Sequence, residues 1–357
     1  MNTLPVRQRG VAVITALLLT TLAVTIVASL FWTQQVQVRS MENQRLHLQT
    51  KWMLRGGIDW SKFALVRFNK ASKTSLHDVW NTPLAETRLD QFVDRERVEG
   101  ETFDATLSGR IVDATSRYNL TNLALGPQVD PLHLEIYKRL LVNLQIDPAL
   151  AKKTADAVAL GSPLPPKPLG GGEAMPPIPG EGQPPQQQQQ QQQQQPVSQG
   201  QIRTTAPMAL TQLEDLLIIP GYTPEIINKL REYVIVLPSM VNGQPVGQTR
   251  VNVNTASAEV ISALIPGFSL AQGQALVAQR KRADWNFEAD FLSQLHGVPR
   301  ERHPAQHVYS ITSEWFLVQA RVRLDRAALD SEALVQRPAM AAPGMAQKAY
   351  TVWVRQN

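Results

Sequence analysis

The sequence predicts an α+β protein: a long N-terminal helix, then one sheet domain split by a large all-helical insertion. Three observations give this order. From Val11 to Trp32 there is no charged residue, and the chain runs on without a proline to about Asn69. Alternating strand patterns stand far apart, at Glu101–Asp113 and Phe316–Asp325. Between them the apolar spacing is helical, so the two patterns read as one sheet with an insertion between its strands.

Composition bounds the function. With 357 residues and 43% hydrophobic content the chain can form one large or two modest domains. Its net charge of +5, from 35 basic and 30 acidic residues, is a mild excess that does not demand nucleic acid. There is no cysteine, which excludes thiol catalysis, thiolate metal sites and disulfides.

The Val11–Trp32 run would extend roughly 33 Å as a helix, enough to cross a hydrocarbon core of about 30 Å. Arg7 and Arg9 lie just before it. The positive-inside rule therefore places residues 1–10 in the cytoplasm and the bulk outside, as in a single-pass protein. A secretory signal peptide is the competing reading, with Val27-Ala28-Ser29 as its cleavage site, but its apolar region would be shorter. A buried core helix would carry polar residues on some face.

The small residue that stands before the run, Gly10, narrows the class. Arg9-Gly10-Val11-Ala12-Val13-Ile14 resembles the processing site of type IV pilins and type II secretion pseudopilins. The resemblance implies that prepilin peptidase cuts between Gly10 and Val11 and that Val11 becomes N-methylated. It also implies a pilin-like fold, with a continuous helix of about 55 residues whose inner half lies in lipid and outer half on an antiparallel sheet. Members usually carry Glu at the fifth mature position, where it pairs with a neighbour's terminal amine; this chain has Thr15. That departure is similar to the general secretion pathway protein K family, the largest minor pseudopilins, which cap the filament tip.

Beyond the span, Val38, Met41, Leu48, Trp52, Trp60 and Phe63 fall mostly on three- and four-residue steps, an amphipathic continuation. Gly56-Gly57 marks a kink or a close packing contact within it. In the first strand, Phe103, Ala105, Leu107, Gly109 and Ile111 alternate with mostly polar residues, so one face should meet the helix. The following Asp113-to-Leu123 run reads either as an ordinary Asx-rich turn or, by resemblance, as the turn that leaves the pilin core of the protein K family.

Leu134, Tyr137, Leu141 and Leu144 share a helical face, and Pro148 opens a second helix. Residues 162–206, with the glutamine tract Gln186–Gln195, have the composition of a disordered surface loop. After it comes an internal echo. Leu217 to Tyr233 and Leu264 to Lys281 each give helix, Pro-Gly turn, polar N-cap and helix, the turns being Pro220-Gly221 and Pro266-Gly267 and the caps Thr223 and Ser269. Phe291 to Val298 is a weaker third copy. Such hairpins are of the helix-hairpin-helix or SAM-like kind. Between them Thr249 to Ala256 gives a short strand into a helix and contains Asn252-Val-Asn254-Thr255-Ala256, again similar to the protein K family.

Helix-hairpin-helix pairs can grip nucleic-acid backbones. Here Glu214, Asp215, Glu225 and Glu232 surround the first turn, and the basic trio Arg280, Lys281 and Arg282 sits at a helix C-terminus. Glu301-x-His303-Pro304-x-x-His307 has ligand types, but Pro304 breaks the helical face a His-x-x-x-His zinc site needs. Gly170-Gly-Gly-Glu lacks the ending of a phosphate loop. No catalytic constellation emerges, so the chain reads as a non-enzyme. The resemblance implies calcium in the insertion, yet there is no Asp-x-Asp-x-Asp loop to hold it.

At the C-terminal end Phe316, Val318, Ala320, Val322 and Leu324 alternate with a largely cationic face, and Leu334–Arg337 and Tyr350–Arg355 are the final strands. The expected layout is leader 1–10, span 11–32, helix and first part of the sheet 33–126, helical insertion 127–305, and C-terminal strands 306–357. The function that follows is a minor pseudopilin at the tip of a type II secretion pseudopilus. It would assemble with other minor pseudopilins at the inner membrane, with its bulk in the periplasm and no nucleic-acid partner. The alternative is a membrane-tethered periplasmic DNA-binding protein of a competence system.

Overall fold

The computed structural model describes residues 9–68, 72–89, 105–162, 209–241, 243–324, 327–338 and 347–356. The leader up to Gln8, and the Pro/Gln-rich stretch at 162–206 apart from Ser162, lie outside them. The chain divides into two compact units. The first comprises Met1–Asn69, His77–Val112 and Glu314–Asn357; the second comprises Lys70–Leu76 and Asp113–Ser313.

In the first unit a single helix, α1, runs from Arg9 to Arg67 without a break. It lies beside a five-stranded sheet of β1 (Leu84–Arg88), β2 (Ala105–Asp113), β3 (Trp315–Leu324), β4 (Ala327–Gln336) and β5 (Tyr350–Gln356), in that spatial order. The pairs β1–β2, β3–β4 and β4–β5 are antiparallel. β4 starts seven residues earlier than the strand expected at Leu334, because Leu324 pairs with Ala327 and the β3 ladder recruits the weakly patterned Ala327–Ala333. Neighbouring backbone supplies what local propensity lacks.

All five apolar positions of β3 are buried as their alternation requires, and four of them, Phe316, Val318, Ala320 and Val322, pack with Leu54, Ile58, Leu65, Trp80, Ile111, Ala333 and Val335 where helix meets sheet. The helix, however, does not pack by the stripe read from its sequence. Val38, Met41, Leu48, Trp52, Trp60 and Phe63 are all exposed, Trp52 to 67%. The packed face is Leu54, Ile58, Ala64 and Leu65 instead. The face that carries Gly57 and Ala64 is the one that comes close to the strands, and the bulkier stripe lies away from that contact.

Gly57 is part of that approach, since a Cβ there would come within 3.2 Å of Leu107 Cδ1, whereas one on Gly56 would meet nothing. The pair is therefore a packing contact within an unbroken helix. Gly109 serves the sheet in the same way: a Cβ would fall 2.6 Å from the Gln319 carbonyl oxygen. Arg337 closes the far end of α1. Buried to 3% exposure, it donates to the Leu65 carbonyl at 3.0 Å and lies 4.7 Å over the Phe316 ring, holding a cation at the negative end of the helix.

The cationic sheet face is compensated across strands. Arg321 makes a two-pronged contact with Asp330 at 2.6 and 2.7 Å, and Arg323 lies 3.6 Å from Glu86. The Arg321 hydrogen bond holds the Asp330 carboxyl below the usual carboxylate range.

The second unit is mostly helical: α2 (Pro131–Asn143), α3 (Ala149–Gly161), α4 (Pro224–Leu230), α5 (Ala258–Leu264), α6 (Leu270–Arg280) and α7 (Glu288–Ser293). Asp130 caps α2 by accepting from the Leu132 and His133 amides. Two short parallel bridges tie distant parts of the unit together, Tyr118–Asn119 to Val234–Ile235 and Val251–Asn252 to Tyr309–Ser310. Its core includes the expected Tyr137, Leu141 and Leu144, together with Leu216, Leu230, Ile261, Leu276 and Phe291.

Gly56→Ala should stabilise the protein by about 1 kcal/mol through helix propensity. Gly109→Ala should destabilise it by about 1–3 kcal/mol, because the Gln319 backbone must move. Urea unfolding of the detergent-solubilised chain followed by tryptophan fluorescence reads both, and equal effects would refute the contrast.

Candidate assembly and processing site

Gly10 and Val11 lie in the first turns of α1. The helix is long and apolar enough to cross a membrane, and its most apolar stretch is wholly unburied. Its hydroxyls do not spoil that surface. Thr15 donates to Ala12, Thr21 to Leu18, Thr25 to Leu22 and Thr33 to Ser29, each within one helical turn at 2.8–3.0 Å. A hydroxyl bonded back to its own backbone can enter hydrocarbon without an unmet polar group. Position 15 thus presents an uncharged, internally satisfied side chain.

The two hairpin turns form as their sequences demand. Gly221 has φ of +110° and Gly267 of +73°, which only glycine adopts easily. Thr223 Oγ1 accepts from the Ile226 amide, and Ser269 with Gln272 completes a reciprocal cap on α6. The leading element of the first hairpin is a 3₁₀ helix, Leu213–Ile218, and not an α-helix. Pro220 offers its carbonyl to Lys153 at 3.0 Å, and a Cβ on Gly221 would fall 2.8 Å from Leu150 Cδ2. The turn is packed against α3 and not held free. Gly297, at φ +77°, follows α7 as the weaker third echo.

Several of the charges near the hairpins are engaged. Glu214 pairs with Arg231 at 2.7 Å. Arg280, 5% exposed, directs its guanidinium at the Val253 and Ala256 carbonyls, and burial lowers its pKa to about 10. An arginine so used fixes a loop and cannot reach a phosphate. The His303 ring lies 3.1 Å from the Val298 carbonyl, consistent with the broken zinc spacing. Among the described residues no three His, Asp or Glu side chains converge as a metal would need.

What the sequence did not reveal is that two of its separated runs meet. The Asp113 carboxylate accepts from the Thr115 amide at 2.8 Å and hydroxyl at 2.7 Å through one oxygen. Its other oxygen accepts from Asn252 Nδ2 at 3.1 Å and from the hydroxyls of Thr255 and Ser313. Asn252 also donates to the Thr74 carbonyl at 3.0 Å, so four segments of the second unit are tied to one buried anion. Nearby, Asn122 exchanges two bonds with the Thr249 backbone, at 2.8 and 2.9 Å, and Asn254 does the same with Trp285, at 2.9 and 3.0 Å. The Asn-rich turn is therefore a set of cross-links, not an ordinary surface turn. The only forewarning was an excess of Asp and Asn beside strand ends.

These cross-linking residues fall in or beside two segments that match known sequences. Residues 116–239 and 251–311, together just over half the chain, match family descriptions of type II secretion system (T2SS) protein K. The chain belongs to the type II secretion system protein K family. It is 25% identical over 336 residues to type II secretion system protein K of Pectobacterium carotovorum subsp. carotovorum, covering 89% of each chain. It is 28% identical over 160 residues to the Pseudomonas aeruginosa protein of that name, covering 43% of this chain and 44% of that one. Its fold resembles a chain in the crystal structure of the GspK–GspI–GspJ complex from the enterotoxigenic Escherichia coli type 2 secretion system. That match has a TM-score of 0.62 and 16% identity, and it covers 89% of this chain and 99% of the other. The protein is accordingly a minor pseudopilin of the secretion system and not an enzyme. The competence DNA-binding reading finds no support in these matches, and the engaged Arg280 argues against it.

Asp113→Asn should destabilise the second unit by about 2–4 kcal/mol, since an amide cannot accept from all of these donors. Differential proteolysis mapped by mass spectrometry, with cleavage rising in 113–313 ahead of the sheet strands, is the check. Wild-type resistance would remove the carboxylate from its central place.

Proposed function

We propose that this chain is cut between Gly10 and Val11 by prepilin peptidase, N-methylated at Val11, and anchored in the inner membrane by residues 11–32 with its bulk in the periplasm. There it takes the tip position of the pseudopilus. The observation that carries this reading is the division of α1. Its C-terminal part is packed through Leu54, Ile58 and Leu65, while among the described residues the span and the aromatic side chains of Trp52, Trp60 and Phe63 are left largely exposed. A helix left with so much apolar surface is built for lipid along one part and for neighbouring helices along another. The neighbours would be minor pseudopilins of the kind present with GspK in the GspK–GspI–GspJ complex.

Thr15 supports the terminal place. Without a carboxylate at that depth there is nothing to pair with the terminal amine of another subunit, so the chain has reason to begin or cap the filament and not to sit within it. The insertion adds bulk against further stacking. Its hairpins, of helix-hairpin-helix or SAM-like kind, act as packed scaffold, with Pro220-Gly221 and Pro266-Gly267 as structural turns. The proposed layout is leader 1–10, span 11–32, helix and first sheet part 33–126, insertion 127–305 and final strands 306–357.

Mass spectrometry of the protein recovered from a secreting host should find a first residue of N-methylated Val11, and Gly10→Leu should leave the leader attached. A first residue beyond Ser29, or an intact Met1 in wild type, would refute the processing assignment.

A further inference from the structure

His133 is a buried imidazole without a role in the assembly reading. It is 1% exposed on α2, within the core of the second unit. Tyr118 Oη donates to the His133 carbonyl at 3.0 Å and also lies 3.1 Å from its Nδ1. In the tautomer that satisfies both contacts, the tyrosine proton goes to the carbonyl and Nδ1–H donates to Oη, which leaves Nε2 as the bare nitrogen. That Nε2 is buried with no hydrogen-bond partner. The next ring is that of the exposed His307, 6.4 Å away and edge-on, so the neighbour offers a second imidazole where a carboxylate would be needed to receive a proton.

We propose that the buried His133, with its unpartnered Nε2 beside His307, makes the helical unit acid-labile, so that uptake of a proton there opens this unit while the sheet unit stays closed. Three titratable groups act on the ring. Asp130 at the cap of the same helix favours a charge on it, His307 from the loop after Pro304 opposes one, and Tyr118 from the 118–119 bridge is held neutral by its own burial. The dominant influence is burial, and the balance leaves the His133 pKa lowered to about 4.

The sign follows. The unfolded chain takes up this proton near the ordinary histidine value of about 6.5 and the folded one near 4, so the unfolded state binds more protons between them and stability falls as pH falls through that window. The folded-to-unfolded ratio should drop by about tenfold per pH unit, a few hundredfold in all. Asp130 is a separate matter. Burial resists its charge, but the Gln248 side chain and the His133 and Leu132 amides lower its pKa, so its own contribution is lost only under more acidic conditions than those that protonate His133.

Hydrogen exchange by mass spectrometry on the full chain in detergent micelles, from pH 7.5 to 4.5 with intrinsic rates corrected for pH, tests this. Protection of residues 131–143 should fall about tenfold per unit below pH 6.5, while protection of 315–336 changes less than about threefold. His133→Gln should flatten the response of 131–143. Should that variant not fold, His307→Gln decides: with the repelling ring gone, the loss by pH 4.5 should shrink. Equal protection of wild type at pH 7.5 and 4.5, a parallel loss in both units, or an unchanged acid response in the folded variant would overturn the proposal.

Discussion

A carboxylate taken out of water must be answered by donors, and the second unit is arranged around one such obligation. Asp113, the last residue of β2, opens the long segment of that unit, and Ser313 closes it just before β3. The Ser313 hydroxyl donates to the Asp113 carboxylate, so the two ends of the Asp113–Ser313 segment are joined at one anion. Asn252 and Thr255 reach the same oxygen from the middle of the insertion, and Thr74 enters through Asn252. Leaving such a group unpaired costs several kcal/mol, so every segment that contributes a donor is bound to its place by the same requirement. The asparagines at 119, 122 and 254 extend the principle to backbone groups that no helix or sheet satisfies.

The first unit depends on a different constraint, the limited distance at which a helix can lie on a sheet. Gly57 and Ala64 allow approach, and Leu54, Ile58 and Leu65 fill the space that remains. The aromatic residues on the other side of α1 are excluded from this contact by size and remain exposed. In an isolated soluble domain that would be a liability for aggregation. In the assembly proposed above it is the surface offered to neighbouring subunits.

Legibility differed between these two constraints. The span, the alternation of β3, the capped hairpins and the Pro-Gly turns could be read locally, because each is set by a pattern within one or two turns of chain. Which face of α1 packs could not be. Both faces are apolar enough, and the choice rests on the shape of strands some 40–280 residues away. The cationic face of β3 likewise looked like a patch until Asp330 and Glu86 were placed beside it. Arg280 had looked like part of a basic cluster, but its guanidinium is turned inward to two carbonyls.

The sequence by itself determined the order of elements, the membrane-length helix, the Gly10-Val11 pair before it and the absence of a charge at position 15, since these depend on residues adjacent in the chain. Only the tertiary structure decided that Asp113 and Asn252 share a site, that the aromatic stripe of α1 is left outside, and that His133 is buried beside His307. The physical reason is the same in each case. Hydrogen bonds, packing and burial act between groups close in space, and the sequence states what a residue can offer but not who will stand opposite to receive it.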